Sequence, residues 1–104
     1  MVEGQRSTVD VFIAAVTSDD VPAVLGLVHE CRDAGLSAEF AMGGQGLGKQ
    51  FKLADARGAT YVAVIGPDDR ARGEVMLKDL GRGEQLSVAR TAIVRRLAEA
   101  CGRA

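Results

Sequence analysis

The sequence has few of the residues that build metal sites, disulfides or aromatic surfaces. It contains two cysteines, one histidine and no tryptophan, and its aromatic side chains are three phenylalanines and one tyrosine. Neither Cys31 nor Cys101 lies in a CxxC or Cys/His pattern, which argues against a zinc site, and both fit apolar helix faces. No apolar run reaches membrane-spanning length, and the first residues lack the apolar core of a signal peptide. We therefore expect no metal, no membrane contact, two free and mostly buried thiols, and a cytoplasmic location.

An excess of charge is also absent, since 13 basic and 14 acidic side chains give a net charge of −1. This balance argues against a protein that coats nucleic acid, although it is compatible with a local basic patch. Phe12, Phe40 and Phe51 lie in apolar patterns, so we expect no aromatic platform for stacked bases. The lysines number three and fall in two stretches of special interest: Lys49, Lys52 and Lys78.

Short apolar segments alternate with amphipathic ones, which predicts a single α/β domain. Residues 1–8 are polar and aperiodic, and we interpret them as a linker remnant or an artificial end, with the domain at 9–104. The predicted strands are 9–16, 36–42, 60–65, 73–80 and 84–87; the predicted helices end at Gly35, at Gly58 and at Cys101, the last beginning at Val88. The stretch 66–69 is typical of a turn. We expect a three-layer α/β/α fold with three helices and a mixed five-stranded sheet of order 2-1-3-4-5, strand 4 being antiparallel.

A glycine-rich loop at 43–48 runs directly into the second helix. Leu47, Phe51 and Ala54 recur with helical spacing and predict the inward face, whereas Lys49 and Lys52 fall on the opposite face. Backbone N–H groups beside two cations suit an anion such as a phosphate. The ordinary alternative is a tight loop followed by an amphipathic helix with two solvated lysines.

The same loop permits a nucleotide-cofactor hypothesis. Glycines at 44, 46 and 48 lie between a strand and a helix, as they do in dinucleotide-binding loops. The spacing differs from GxGxxG, and the acidic residue about 20 positions on, Asp68, falls in a turn instead of at a strand end. We therefore rank this hypothesis below phosphate-backbone binding.

Several motifs together resemble a known family. They are LGKQFKLAD at 47–55, GA at 58–59, VIG at 64–66, VMLKDL at 75–80 and GEQ at 83–85. The sequence resembles, from Val9 to about Leu97, the C-terminal anticodon-binding domain of histidyl-tRNA synthetases, within the wider class IIa anticodon-binding family. Ala56 departs from the pattern, because a basic or polar residue often follows the Ala-Asp pair there.

The resemblance implies a domain that binds the anticodon stem-loop of tRNA(His) and has no catalytic residues, metal or cofactor of its own. ATP and magnesium would belong to the catalytic domain of a parent histidine–tRNA ligase, which we expect to be a homodimer and a partner of this domain. By resemblance to the threonyl relative, the contacts fall at Lys52, Asp69 and Lys78, and the strand pairing suggests that Asp69 and Lys78 lie near one end of the sheet. The further candidates are Lys49, Gln45, Gln50 and Gln85.

An alternative function is a free-standing interaction module that kept the fold without charging tRNA. We expect Leu53 to point outward between the two lysines, which offers weak support for a protein partner.

Overall fold

The structure, a computed structural model, describes residues 9–41 and 46–102. Its strands are β1 (Val11–Ala15), β2 (Ala38–Phe40), β3 (Tyr61–Ile65), β4 (Glu74–Asp79) and β5 (Gln85–Ala89). Its helices are α1 (Val21–Asp33), α2 (Leu47–Ala56), α3 (Pro67–Arg72) and α4 (Ile93–Ala100), and a short 3-10 turn covers Ser18–Asp20.

One five-stranded sheet organises the chain, in the order β2-β1-β3-β4-β5. β1 is parallel to both β2 and β3, whereas β4 runs antiparallel to β3 and to β5. The predicted order 2-1-3-4-5 and the antiparallel fourth strand are confirmed. β1 is an interior strand, and it is apolar because both of its faces are covered.

Two local predictions are wrong. The stretch predicted as a turn begins α3, with Pro67 in the first helical turn and Gly73 ending the helix at φ 68°. The described residues thus contain the three longer helices expected and one short additional helix. The last helix begins at Ile93 instead of Val88, because residues through Ala89 extend β5 and Val88 pairs with Val75 of β4.

The sheet separates two apolar clusters. On one face, α1 and α4 pack on Ile13, Ile65 and Val75 and contribute side chains such as Leu27, Ile93 and Leu97. On the other face, α2 packs through Ala54, with Leu47 and Phe51 partly buried, on a smaller cluster: Phe12, Ala14, Val62 and Val64. The fold therefore has one face covered by two helices and one face with a single helix.

Neither cysteine forms a disulfide; Cys31 is buried and Cys101 is half-buried. Burial raises the pKa of the Cys31 thiol to about 11. Within residues 9–41 and 46–102, no helix combines the length and apolar composition needed to cross a bilayer.

Candidate nucleic-acid interface

Helix α2 lies across the sheet between β2 and β4. Near its C-terminal end, Arg57 forms an ion pair with Glu39 of β2. On its other flank, the Phe51 ring lies beside Lys78 of β4, with the lysine Nζ 5.4 Å from the ring centroid. The Arg57 side of α2 therefore faces β2, and the Phe51 side faces β4.

Lys49 and Lys52 are both exposed on α2, as expected. Successive residues of an α-helix are about 100° apart around its axis. Lys52 is therefore one step beyond Phe51 and far around the axis from buried Gln50 and Ala54, which places it on the solvent side of α2. Lys49, three residues earlier, is its neighbour on the same side of the helix, so both lysines present positive charge to solvent above the sheet face that α2 covers.

Lys78 lies on the sheet face that α2 partly covers. Its register partners are Val62 in β3 and Gln85 in β5. Directly paired residues of antiparallel strands project from the same face, so the Gln85 side chain lies next to Lys78. Lys78 is half-buried and Gln85 is exposed.

The β4–β5 part of this face is open to solvent in the described portion of the chain. Met76 pairs with Ser87, and Lys78 pairs with Gln85, so these four side chains form one patch, here called the open β4–β5 face. Gln85 and Ser87 are exposed and Met76 is half-buried. At the far end of β4, the Glu74 carboxylate is engaged by Arg72 at 3.1 Å. The patch therefore combines a cation, an amide and a hydroxyl next to α2.

Gln50, a candidate RNA contact in the sequence, is 4% exposed. Its Oε1 accepts a hydrogen bond from the backbone N–H of Ala15 at 3.1 Å, and its Nε2 donates to the Ala15 carbonyl at 2.9 Å. The side chain thus joins α2 to the end of β1. Its position gives no support to a role in RNA contact, and we leave it out of the proposed interface.

Asp69 and Lys78 do not lie at one end of the sheet, contrary to expectation. Asp69 belongs to α3, which follows the end of β3, whereas Lys78 is opposite Val62 near the beginning of β3. The Asp69 carboxylate accepts a hydrogen bond from the Gly66 N–H at 3.0 Å and pairs with Arg72 at 3.3 Å, with its side chain 14% exposed. It caps α3, which supplies a structural reason for an acid at this position.

Two further sequence expectations have different outcomes. Leu53 was expected to point outward, but it is half-buried and packs against the cluster beneath α2. Gln45 lies outside the described residues, as do Gly43 and Gly44, so the anion-binding loop and the nucleotide-loop hypothesis stay untested there.

A polar contact that sequence reasoning missed joins the segments that follow β1 and β3. Asp20 has no exposed surface, and its carboxylate accepts hydrogen bonds from the Thr17 N–H at 2.8 Å and the Thr17 hydroxyl at 2.9 Å. Arg70 of α3 donates to it at 2.6 Å. Burial is the largest influence and raises the pKa of Asp20, but the hydrogen bonds together outweigh it and the pKa is lowered. A Thr-x-x-Asp capping pattern was the available sequence signal.

Comparison with known proteins now identifies the family. The sequence profile described as Anticodon binding domain matches residues 10–100. The chain belongs to the anticodon-binding domain family. Its order of elements and the packing of helices on both faces of one sheet are those of an anticodon-binding domain, as the resemblance implied.

Individual relatives of this anticodon-binding domain are histidine–tRNA ligases. The chain is 40% identical to that of Corynebacterium jeikeium over 91 residues, covering 88% of this chain and 20% of the relative. It is 38% identical to that of Streptomyces avermitilis over 91 residues, covering 88% and 22%. The chain thus spans about a fifth of the length of these relatives.

Solved structures agree on the fold. The histidyl-tRNA synthetase of Nostoc sp. matches with a TM-score of 0.81 at 30% identity, over 90% of this chain and 22% of that one. The S. aureus histidyl-tRNA synthetase matches with a TM-score of 0.83 at 23% identity, over 88% and 24%. The RNA-binding domain of threonyl-tRNA synthetase from Cryptosporidium parvum shares the fold, with a TM-score of 0.79 at 12% identity over 86% and 23%.

Proposed function

We propose that this anticodon-binding domain binds the anticodon stem-loop of tRNA(His) as part of a histidine–tRNA ligase and contributes recognition, not catalysis. The observation that carries the proposal is that α2, which exposes Lys52 to solvent, contacts Lys78 through Phe51, next to Gln85 on the open β4–β5 face. Family membership and the histidine–tRNA ligase relatives support the identity of the RNA. In this account, ATP and magnesium act in the catalytic domain of a cytoplasmic, homodimeric parent.

The proposed surface matches what an anticodon loop offers. Unpaired bases expose their Watson–Crick edges, and the flanking phosphates attract cations. Lys49 and Lys52, long and exposed on a helix, suit phosphates. Lys78 and Gln85 are adjacent on paired strands, so their ammonium and amide groups can donate to, and the amide oxygen accept from, the edge of one base. In this arrangement helix α2 contacts the phosphate backbone of the RNA, and β4 and β5 contact its bases.

The net charge of −1 shapes the expected affinity. With three lysines near the interface, only about two to four phosphate contacts are available, so binding should be weak and its salt dependence shallow. A deep basic groove is not needed for this task, because the rest of a ligase can bind other parts of the same tRNA.

The test is titration of the domain with a synthetic tRNA(His) anticodon stem-loop at several salt concentrations. Lys49→Ala, Lys52→Ala and Lys78→Ala should each weaken binding and leave the melting temperature nearly unchanged. Arg95→Ala is the matched control, because Arg95 is an exposed cation on α4, on the opposite face of the sheet. Equal losses in the lysine variants and in Arg95→Ala would mean nonspecific attraction. No stem-loop binding at low salt would instead favour the alternative of a free-standing interaction module.

A further inference from the structure

The contact between Phe51 and Lys78 joins the two elements that carry the proposed interface. Phe51 projects from α2, is half-buried, and packs on the cluster beneath the helix. The Lys78 Nζ lies over its ring, 5.4 Å from the centroid. Among the described residues, the ion pairs found involve other side chains and leave the Lys78 ammonium without a carboxylate partner.

The face of an aromatic ring carries partial negative charge and attracts an ammonium group within about 6 Å. A lysine side chain is otherwise flexible, and it loses rotamer freedom when a ligand immobilises it. A ring on one side of the ammonium restricts that freedom before a ligand arrives. It also leaves N–H donors on the other sides available to an acceptor.

We propose that Phe51 is a positioning residue for RNA binding, whose ring holds the Lys78 ammonium at the α2 edge of the open β4–β5 face. The inference rests on the proposed function, because it assigns Lys78 to RNA contact. Lys78 then loses its rotamer freedom already in the free domain, and the anticodon loop binds a donor that is in place before it arrives. Phe51 itself touches Lys78 and the core, and the effect on RNA passes through the lysine.

A double-mutant cycle tests this role. Phe51→Leu removes the ring and keeps an apolar side chain, and it should weaken stem-loop binding about two- to fivefold. Phe51→Tyr keeps the ring face and should bind like the original chain. In a Lys78→Gln background, Phe51→Leu should have no further effect on affinity. An equal loss in both backgrounds, or tighter binding on removal of the ring, would overturn the inference.

The matched control is Leu47→Val. Leu47 is also half-buried on α2 and packs on the same cluster, but it has no aromatic ring to attract the Lys78 ammonium. Leu47→Val should lower the stability of the domain and reduce its affinity for the stem-loop less than twofold. If Leu47→Val weakens binding as much as Phe51→Leu, the effect comes from the packing of α2 and the inference is wrong.

A measurement without RNA separates this inference from the proposed function. In the NMR spectrum of the free domain, the ring should shift the resonances of the Lys78 methylene next to Nζ, and Phe51→Leu should abolish that shift whereas Leu47→Val should not. Unshifted Lys78 resonances in the original chain would overturn the inference alone. A Lys78→Gln variant that binds the stem-loop normally would contradict the proposed function, and with it the positioning role.

Discussion

The side-chain amide of Gln50 is hydrogen-bonded at two points to the backbone of Ala15, 35 residues away in sequence. β2 ends at Phe40, which pairs with Ile13, two residues before Ala15 along β1. On the other side of β1 the pairing with β3 continues, because the Val16 N–H donates to the Ile65 carbonyl at 3.0 Å. The Gln50 amide therefore takes the place of a strand residue where β2 has ended, and it satisfies both backbone groups of Ala15.

Replacing Gln50 with alanine should destabilise the domain by about 2–4 kcal/mol, because two backbone groups lose their partners. Urea unfolding measures this difference. Lys49→Ala is the control. Lys49 is the exposed neighbour of Gln50, and its replacement should change the free energy of unfolding by no more than about 0.5 kcal/mol. Equal stability of the two variants would show that Ala15 finds other partners without the amide.

The buried carboxylate of Asp20 should make stability depend on acid pH. Its folded-state pKa is lowered, so the ionised group adds stability above its ordinary value of 3.8, and this contribution is lost as pH falls through the folded-state value. Asp20→Asn should therefore be less stable than the original chain at neutral pH, by about 2 kcal/mol or more.

Unfolding of both chains at neutral pH and at the lowest pH where they fold checks the sign. The stability difference between the original chain and Asp20→Asn should shrink as the carboxyl is protonated. A difference that stays constant, or grows, on acidification would contradict the assignment of a lowered pKa to Asp20.

The two cysteines should react with thiol reagents at different rates. Cys31 is fully buried and its pKa is raised to about 11, so little reactive thiolate is present near neutral pH. Cys101 is half-buried next to the end of α4 and should be labelled first. Mass spectrometry of a time course in native buffer should show one rapid label, assigned to Cys101. Rapid labelling of Cys31 would mean that the α1 face opens readily.

Lys52 and Lys78 should differ in how they affect specificity. Lys52→Ala removes a phosphate contact, so it should weaken binding to every stem-loop about equally and lower the salt slope by about one. Lys78→Ala removes a donor held on a strand beside Gln85, so it should reduce discrimination between the histidine anticodon and a substituted one by about 1 kcal/mol or more. Affinities for the two stem-loops measured with both variants decide the point. Uniform losses in both variants would make Lys78 a second phosphate contact.

The sheet order could be predicted because its strands are short apolar runs separated by glycine and proline, and such local patterns carry strong information. The helix α3 was missed because the sequence 66–69 suits both a turn and a capped helix start, and the helix has only six residues. The start of α4 was predicted too early because Ala89, the last residue of β5, has helical spacing with Ile93 and Leu97. The boundary of α4 was decided by the pairing of β5 with β4.

The candidate site was predictable only in part. Lys49, Lys52 and Gln85 are exposed as their types suggest. The burial of Gln50 depends on where β2 ends relative to β1, and no local signal in 47–55 contains that information. The Phe51–Lys78 contact likewise joins residues on different elements. The type of a side chain often predicts whether it is exposed. A polar side chain that hydrogen-bonds to a backbone group far away in sequence, such as Gln50, can be recognised only in the three-dimensional structure.

The most direct test of the account is to map the stem-loop onto the domain by amide chemical-shift changes in the labelled chain. Binding through the proposed interface should perturb the outer side of α2 and the backbone around Lys78, Gln85 and Ser87, and should leave the exposed side of α4 near Arg95 unchanged. Perturbations concentrated on α1 and α4, with α2 and β4–β5 unaffected, would contradict the central claim that the RNA binds the face covered by α2.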